Sequence, residues 1–318
     1  MISRKFQTTG ATRMGSAETR GKLEPVLVTG ATDGLGRATA IALSRRGYRV
    51  FAGGRSAERR AALETLAREQ KLALEPLEMD VTSDGSVDAA VGEIERRAGA
   101  VAALVNNAGI GIGAAMEEIS LADMRRQFET NLIGVLRVTQ RVLPEMRKRR
   151  RGRIVNMSSV AGKLAGPIMG PYCASKHALE AMSDAMRLEL YPFGVQVIVI
   201  EPGYISTSIG RNSMELSAGY ANAAPESAYA PIYEAFRVSF ANSMKNSRTT
   251  PEDCAATIVR AMEAERPRAR YAVTPEAKMA LWMRRLLPDR IFDKMIRKSM
   301  GLEEFRAEIR NASGTYRT

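Results

Sequence analysis

Residues 29–36, Thr29-Gly30-Ala31-Thr32-Asp33-Gly34-Leu35-Gly36, lie between two segments of different pattern. Residues 23–29 (LEPVLVT) form a short apolar run, as in a buried parallel strand. Residues 35–47 carry apolar side chains at helical spacing and stop at a glycine, a common helix terminator. At such a junction, backbone N–H groups and the positive end of the helix favour phosphate. The stretch therefore predicts a dinucleotide site on Gly30, Thr32, Asp33, Gly34, Leu35 and Gly36.

The same alternation continues along the chain. Apolar runs at 48–52, 74–79, 101–106, 153–158 and 195–201 are separated by helical patterns at 58–70, 84–97, 121–147 and 172–190. Strands regularly separated by helices form a parallel sheet that is covered on both faces. We therefore expect an α/β fold, a Rossmann-like doubly wound parallel sheet, in a single catalytic domain over residues 23–275.

The regular pattern ends at Gly203. Residues 204–249 contain Gly, Asn, Ser, Pro and scattered aromatics, over a length too great for a simple connection. Thr250-Pro251-Glu252-Asp253 then has the composition of a helix start. Ligands bind beyond the carboxyl ends of strands in open α/β sheets. The insertion is therefore predicted to be a substrate lid.

The two ends of the chain lie outside this domain. Residues 1–22 are basic and nearly free of acids, which predicts a flexible tail, with an organellar transit peptide as the alternative. Residues 276–318 are predicted to be an amphipathic helical extension with an apolar stripe and flanking arginines and lysines over 277–300. Such a stripe packs on its own domain, roofs the substrate pocket or lies on an anionic membrane. The sequence leaves these alternatives open.

Composition excludes several classes of function. Two cysteines and one histidine in 318 residues are too few for a disulfide framework, a His-built metal site or a Ser-His-Asp triad. The net charge of +12 has no zinc-finger or helix-turn-helix pattern with it, so solvated faces explain it better than nucleic-acid binding. We expect a cytoplasmic protein without a metal or nucleic acid, with membrane association as an open alternative.

The end of the second strand discriminates between nicotinamide cofactors. NAD sites place an acidic residue about 20 positions beyond the glycines, whereas NADP sites place a cation there for the 2′-phosphate. Here the strand ends in Ala52-Gly53-Gly54-Arg55, and Arg55 lies nineteen residues after Gly36. Because a guanidinium binds phosphate bidentately, NADP(H) is expected, and NAD(H) less so. A carboxylate at Asp33 would repel that phosphate unless it points away.

Further polar motifs follow later strands: Asn106-Asn107-Ala108-Gly109, Asn156-Met157-Ser158-Ser159, Tyr172-Cys173-Ala174-Ser175-Lys176 and Pro202-Gly203-Tyr204-Ile205-Ser206-Thr207. Tyr172 and Lys176 are four residues apart on a predicted helix and share a face. An ammonium group near a phenol is expected to lower the phenol's pKa. Ser159 can donate to a substrate oxygen on which charge develops.

Taken together, these motifs resemble the single-domain branch of the short-chain dehydrogenase/reductase family over about residues 23–270. The glycine spacing TGxxxGxG, the Asn131 of Thr130-Asn131-Leu132 and the position of Ser159, thirteen residues before Tyr172, all match that branch. The resemblance implies the catalytic tetrad Asn131, Ser159, Tyr172 and Lys176, with Ser159 and Tyr172 on the substrate. It also implies cofactor contacts from Asp80, Val81, Asn107, Ala108, Gly109, Tyr172, Lys176, Pro202, Gly203, Ile205 and Thr207.

The expected function is therefore NADP(H)-dependent interconversion of a ketone or aldehyde and an alcohol, with Tyr172 as general acid and base. The C-terminal region resembles that of hydroxysteroid and retinol dehydrogenases, which implies a bulky apolar substrate of steroid, retinoid or lipid type. The resemblance also implies a homodimer or homotetramer through the helices at 121–147 and 174–190. Reduction of a 3-oxoacyl thioester and a non-catalytic NADP-binding redox sensor remain as alternatives.

Overall fold

A computed structural model describes residues 24–205, 208–223 and 227–314, in which parallel strands form one sheet. The strands are β1 (Pro25–Val28), β2 (Arg49–Gly54), β3 (Leu74–Glu78), β4 (Ala103–Asn106), β5 (Gly152–Met157), β6 (Val195–Glu201) and β7 (Arg270–Ala272). The helices of the core are α1 (Gly34–Arg45), α2 (Ala57–Glu69), α3 (Asp84–Ala98), α4 (Leu121–Phe128), α5 (Gly134–Lys148), α6 (Gly170–Leu190) and α9 (Pro251–Glu263). The lid and C-terminal helices are α7 (Ser208–Ala223), α8 (Ala230–Asn246), α10 (Pro275–Leu286), α11 (Asp289–Ser299) and α12 (Leu302–Gly314).

The sheet has the order β3-β2-β1-β4-β5-β6-β7, and every neighbouring pair is parallel. The chain builds outward from β1 to β3 and then returns to place β4 on the other side of β1. This reversal leaves a crevice beyond the carboxyl ends of β1 and β4, which is where ligands bind in doubly wound sheets.

Side chains alternate along each strand and pack into two apolar layers, one on each face of the sheet. In β1, Val26 and Val28 pack in the layer that contains Leu43 and Ile258, from α1 and α9. Leu27, between them in sequence, packs in the opposite layer with residues of α3, α5 and α6. Because both faces are covered, the central strands consist mainly of apolar residues.

Short polar residues begin several of the helices. The side chains of Ser56, Ser83 and Ser120 each accept a backbone N–H of the following turn. Thr250 and Asp253 form a reciprocal capping box at the start of α9, which confirms the helix start read from Thr250-Pro251. These caps satisfy amide groups that have no partner within the helix.

The structure confirms the doubly wound parallel sheet and corrects several details. The predicted helix over 121–147 is interrupted by a π-helical segment at Glu129–Ile133, which lies between α4 and α5. Strand β7 was not predicted, because three residues give too short an apolar run. The lid segment contains two helices, α7 and α8, which the sequence pattern did not reveal. The predicted tail at 1–22 lies outside the described residues.

Two exclusions apply to the described part of the chain. None of its helices combines the length and the hydropathy needed to cross a bilayer. Within the same residues, no three His, Cys, Asp or Glu side chains come together as a potential metal site.

Candidate active site

The carboxyl ends of the strands surround a cavity of about 550 Å³. It lies at the crevice between β1 and β4 and includes residues from the glycine-rich turn to the loop after β6. The following residues expected at the cofactor line it: Gly30, Thr32, Asp33, Gly34, Leu35, Gly36, Arg55, Asp80, Val81, Asn107, Ala108, Gly109, Tyr172, Lys176, Pro202, Gly203 and Ile205. Thr207 lies outside the described residues. The sequence thus identified most of the wall of one cavity.

Close backbone packing shapes the glycine-rich turn. Gly30 has a φ of 61°, in the left-handed region that glycine tolerates best. A Cβ at Gly36 would lie 2.3 Å from the carbonyl oxygen of Gly30 and 2.4 Å from Nδ2 of Asn107. That amide donates to the carbonyl oxygens of Thr29 and Gly30, each at 3.0 Å. These contacts leave no room for a larger side chain at Gly36, so the backbone of the turn borders the cavity directly.

Two arginines lie where a 2′-phosphate is expected. Arg55 is 68% exposed at its side chain, and one of its guanidinium nitrogens is 3.9 Å from Oδ2 of Asp80. Arg59 also lines the cavity, and its Nη1 is 3.0 Å from Oδ2 of Asp33. The sequence analysis did not identify Arg59 as a candidate for the phosphate site. Its position in α2, about one helical turn after Arg55, could have pointed to it. The contact with Arg59 also explains how a carboxylate can stand at Asp33. Its Oδ1 accepts the N–H of Gly34, and its Oδ2 is neutralised by Arg59.

Asp80 and Val81 line the cavity from the loop after β3, beside Arg55. The Asp80 carboxylate accepts hydrogen bonds from the backbone N–H and the hydroxyl of Thr82. Partial burial opposes these bonds, and Arg55 and Arg137 add attraction, with the net result that the pKa of Asp80 is lowered. Asp80 is therefore ionised at neutral pH.

Asn131 lies in the π-helical segment and is fully buried. Its side chain donates to the carbonyl oxygen of Ile110 at 2.8 Å and to Oγ of Ser175 at 3.0 Å, and it accepts the N–H of Ile110 at 2.9 Å. A Cβ at Gly109 would be 3.2 Å from Oδ1 of Asn131 and 3.8 Å from Nζ of Lys176. Asn131 therefore lies behind the cavity wall, where it joins the loop after β4 to α6.

Tyr172, Ser159 and Lys176 come together at the centre of the cavity. The hydroxyl of Ser159 is close enough to that of Tyr172 to lower the pKa of the phenol, and both side chains line the cavity. Lys176 is 5% exposed, and its Nζ donates to the carbonyl oxygen of Met157 at 2.7 Å. The same Nζ is 5.8 Å from the centroid of the Tyr172 ring. A phenol, a hydroxyl and an amine thus line one wall of the cavity.

Burial governs the protonation of this group. It raises the pKa of Tyr172 to about 12, although the hydrogen bond with Ser159 acts in the other direction. It lowers the pKa of Lys176 to about 8, against the attraction of the Glu180 carboxylate. The expectation that Lys176 lowers the pKa of the phenol is therefore corrected for the protein alone, because desolvation dominates and the amine binds Met157. At neutral pH Tyr172 is a neutral phenol, the form that donates a proton.

A buried charge cluster that the sequence did not reveal lies beneath Lys176. Glu180, one turn further along α6, is 2% exposed and lies 3.1 Å from Nζ of Lys163 and 3.0 Å from Nε of Arg270. Arg270 is also 3.6 Å from Glu201, whose pKa is raised to about 7 by burial and by the charge of Glu180. The cluster brings together α6, β6 and β7, so only the fold could reveal it.

Two neighbours of the tetrad have no chemistry in this cavity. His177 is exposed, and its Nδ1 is 2.9 Å from the carbonyl oxygen of Cys173 in its own helix. Cys173 is buried, and burial raises the pKa of its thiol, which disfavours the reactive thiolate.

The lid helices pack beside the cavity and are hydrogen-bonded to α4 and to the loop that precedes it. Phe236 and Phe240 of α8 lie with ring centroids 5.7 Å apart, and Phe240 makes an edge contact with Tyr204 at the same distance. Ile168 has a φ of 66°, a conformation that β-branched residues rarely adopt, and packs with the lid. Three lid tyrosines donate to carboxylates: Tyr220 to Asp123 at 2.6 Å, Tyr229 to Glu117 at 2.5 Å and Tyr233 to Glu118 at 2.7 Å.

Comparison with known proteins agrees with this geometry. The model of the short chain dehydrogenase family matches residues 24–217. The uncharacterized oxidoreductase YusZ of Bacillus subtilis is 34% identical over 277 residues, which cover 86% of this chain and 97% of the relative. The NADPH-dependent 3-dehydrocapnine reductase of Ornithobacterium rhinotracheale is 31% identical over 280 residues, which cover 86% and 96%.

Solved structures share the architecture. A crystal structure of a variant of the actinorhodin polyketide ketoreductase with NADPH superimposes with a TM-score of 0.67 at 31% identity. The match covers 82% of this chain and 97% of the ketoreductase.

Proposed function

Because this chain belongs to the short-chain dehydrogenase family, we propose that it is an NADP(H)-dependent oxidoreductase that interconverts a ketone or aldehyde and an alcohol. The observation that carries the proposal is that Tyr172 and Ser159 lie next to each other in the wall of the nucleotide cavity, with the buried amine of Lys176 at 5.8 Å from the centroid of the Tyr172 ring. A sensor that only binds a nucleotide has no need of a proton donor at this place.

The cavity fits a phosphorylated dinucleotide. Because Gly36 has no side chain, the start of α1 is open to a pyrophosphate. Arg55 and Arg59 line the cavity and can bind a 2′-phosphate. In our proposal Asp80 and Val81 border the adenine, and Asn107, Ala108 and Gly109 line the middle of the site. Pro202, Gly203, Ile205 and Thr207 are assigned to the nicotinamide end. The names of the 3-dehydrocapnine reductase and of the ketoreductase structure, which both include NADPH, support this choice.

The nicotinamide of the bound cofactor supplies or accepts the hydride. Tyr172 gives its proton to the carbonyl oxygen in reduction and takes it back in oxidation. Its raised pKa keeps that proton on the phenol at neutral pH, which is the form that can protonate a carbonyl oxygen. Ser159 hydrogen-bonds the same substrate oxygen as charge develops on it.

Lys176 and Asn131 are proposed to support this proton transfer without contacting the substrate oxygen. The protonated amine of Lys176 stabilises negative charge on the phenol during the transfer and binds the ribose hydroxyls of the cofactor. The buried side chain of Asn131 fixes the backbone of Ile110 and the hydroxyl of Ser175, and so holds the loop after β4 against α6.

The substrate is proposed to be bulky and apolar, of steroid, retinoid or lipid type. Support comes from the aromatic side chains of Tyr204, Phe236 and Phe240, which cluster where the lid helix α8 meets the loop after β6. Tyr204 is 43% exposed, so this cluster still has surface to offer to an apolar ligand.

The proposed assembly is a homodimer or homotetramer through the two helices named by the resemblance. Leu121 of α4 is 69% exposed and Leu188 of α6 is 70% exposed. Large apolar side chains on both helices are consistent with a subunit interface.

A panel of carbonyl compounds assayed with NADPH and NADH in parallel tests the proposal. It should contain a steroid ketone, a retinoid aldehyde, a long-chain 3-oxo lipid, a 3-oxoacyl thioester and a small ketone. We expect turnover with NADPH on at least one bulky apolar carbonyl. Turnover on the thioester alone would favour the acyl-thioester alternative. NADPH binding without turnover on any member would favour the redox sensor.

A further inference from the structure

Helices α10 and α11 expose a row of large apolar side chains, here called the C-terminal stripe. Its members and their exposed fractions are Met279 at 59%, Trp282 at 64%, Leu286 at 57%, Ile291 at 50% and Met295 at 42%. Phe292 of α11, about 100° around the helix from Ile291, packs inward and is 8% exposed. The extension is therefore folded, and yet most of the predicted apolar stripe is left on the surface. A group of large exposed apolar side chains in one short segment marks an interaction site.

Basic residues share the exposed face of α11. Ile291, Lys294, Met295 and Lys298 follow one another at intervals of three, one and three residues, which places them on one side of a helix with 100° per residue. The acidic residues of this helix, Asp289 and Asp293, fall about 160–200° from Ile291. The exposed face thus combines apolar and positively charged groups and has no acid of its own.

Helix α10 has a related arrangement. Met279, Trp282 and Leu286 lie on one face, at spacings of three and four residues. Lys278 and Arg285 are exposed and lie next to that face. A tryptophan among basic residues suits a membrane interface, because the indole has an apolar body and a polar N–H.

The start of α10 is fixed to the wall of the cofactor cavity. Thr274 caps the helix and is fully buried, and Ala277 is 2% exposed. A Cβ on Gly203, which lines the cavity, would lie 2.4 Å from Oγ1 of Thr274 and 3.5 Å from Cβ of Ala277. Met279 follows Ala277 by two residues. The stripe therefore begins within one helical turn of the cavity wall.

We propose that the C-terminal stripe docks on the surface of an anionic lipid bilayer. Charge complementarity selects this occupant: the apolar side chains enter the acyl boundary while Lys278, Arg285, Lys294 and Lys298 contact the anionic headgroups. A second copy of the chain in the same place would bring these cations face to face. Docking does not depend on the proposed function, but delivery of a lipophilic substrate to the nearby cavity does.

Vesicle flotation of the full-length protein tests docking. Vesicles of phosphatidylcholine with phosphatidylglycerol are compared with phosphatidylcholine alone, at low and at high salt, without cofactor or substrate. We expect flotation with the anionic vesicles at low salt and its loss at high salt. Trp282→Ser is expected to reduce partitioning, while Trp282→Phe retains it, because the phenyl ring preserves most of the buried apolar area.

A second flotation experiment removes positive charges from α11. Each cation near an anionic surface contributes about fivefold in partitioning, so K294Q/K298Q is expected to weaken binding by more than tenfold. The matched control R68Q/K148Q also removes two exposed positive charges, from α2 and α5, and should leave flotation unchanged.

Three results overturn the proposal. They are the absence of flotation at low salt, equal flotation of the wild type and K294Q/K298Q, and a drop in molar mass by light scattering when Trp282→Ser is made. The last result would assign the stripe to a second copy of the chain. Because flotation is measured without NADPH, its failure leaves the proposed reductase activity to be judged separately by turnover.

Discussion

The strongest test of the cofactor assignment is the removal of positive charge at the end of β2. Arg55 and Arg59 each lie beside one carboxylate, at 3.9 Å from Asp80 and 3.0 Å from Asp33. The two cations and two anions cancel in the protein alone. A 2′-phosphate adds about two negative charges. Replacing either arginine by glutamine leaves a net negative site for that phosphate.

The expected size of the effect follows from exposure. A hydrogen bond between charged groups contributes about 1.5–3 kcal/mol when it is shielded. Arg55 and Arg59 are 68% and 52% exposed at their side chains, so solvent screening reduces this value. At about 1.4 kcal/mol, each substitution weakens NADPH binding about tenfold. NADH lacks the phosphate, so its affinity should stay within about twofold.

Kd values for NADPH and NADH from cofactor fluorescence measure this directly, for R55Q, R59Q and the wild type. R68Q is the matched control, since Arg68 lies in the same helix as Arg59, is 77% exposed and does not line the cavity. In the R59Q background, D33N should recover part of the NADPH affinity, because asparagine keeps the helix cap and removes the repulsion. An equal loss of NADPH and NADH affinity in R55Q and R59Q would refute the reasoning.

Three further predictions concern the cavity. Tyr172→Phe should retain NADPH affinity but lose about 10²–10⁴-fold in turnover, and a turnover near the wild-type value would contradict the role of the phenol. Gly36→Ala should abolish NADPH binding by fluorescence, because its Cβ would lie 2.3 Å from a carbonyl oxygen, whereas Gly92→Ala, in open space on α3, should bind normally. Lys176, with its pKa lowered to about 8, is charged below that pH, so reductive kcat should fall as the pH rises above about 8; a flat profile to pH 10 would count against it.

The sequence was most informative where local rules act alone. The apolar runs and helical spacings predicted every strand of the sheet except β7, and the strand ends predicted which motifs line the cavity. Both follow from periodicity and from the geometry of parallel sheets. The functional roles assigned to Asn131, Ser159, Tyr172 and Lys176 stay predictions.

What the sequence missed depends on contacts between distant segments. The partnership of Arg59 with Asp33 joins α2 to the glycine-rich turn, and Glu180 meets Arg270 only because β7 lies beside β6. The lowered pKa expected for Tyr172 failed for the same reason. The spacing of Tyr172 and Lys176 correctly predicts that they share a face, but burial of the phenol is a property of the folded chain.

The π-helical segment at Glu129–Ile133 limits how the protein can be redesigned. An extra residue in one turn rotates the rest of a helix by about 100° relative to the part before it. Deleting one residue from this segment would give α4 and α5 a regular backbone. It would either turn Asn131 away from Ile110 or move Arg137 and Arg141 of α5 away from Asp84 and Glu95, the carboxylates of α3 with which they form ion pairs. A more regular helix here would be gained only by dismantling one of two sets of contacts, so shortening this segment is a poor route to a more stable protein.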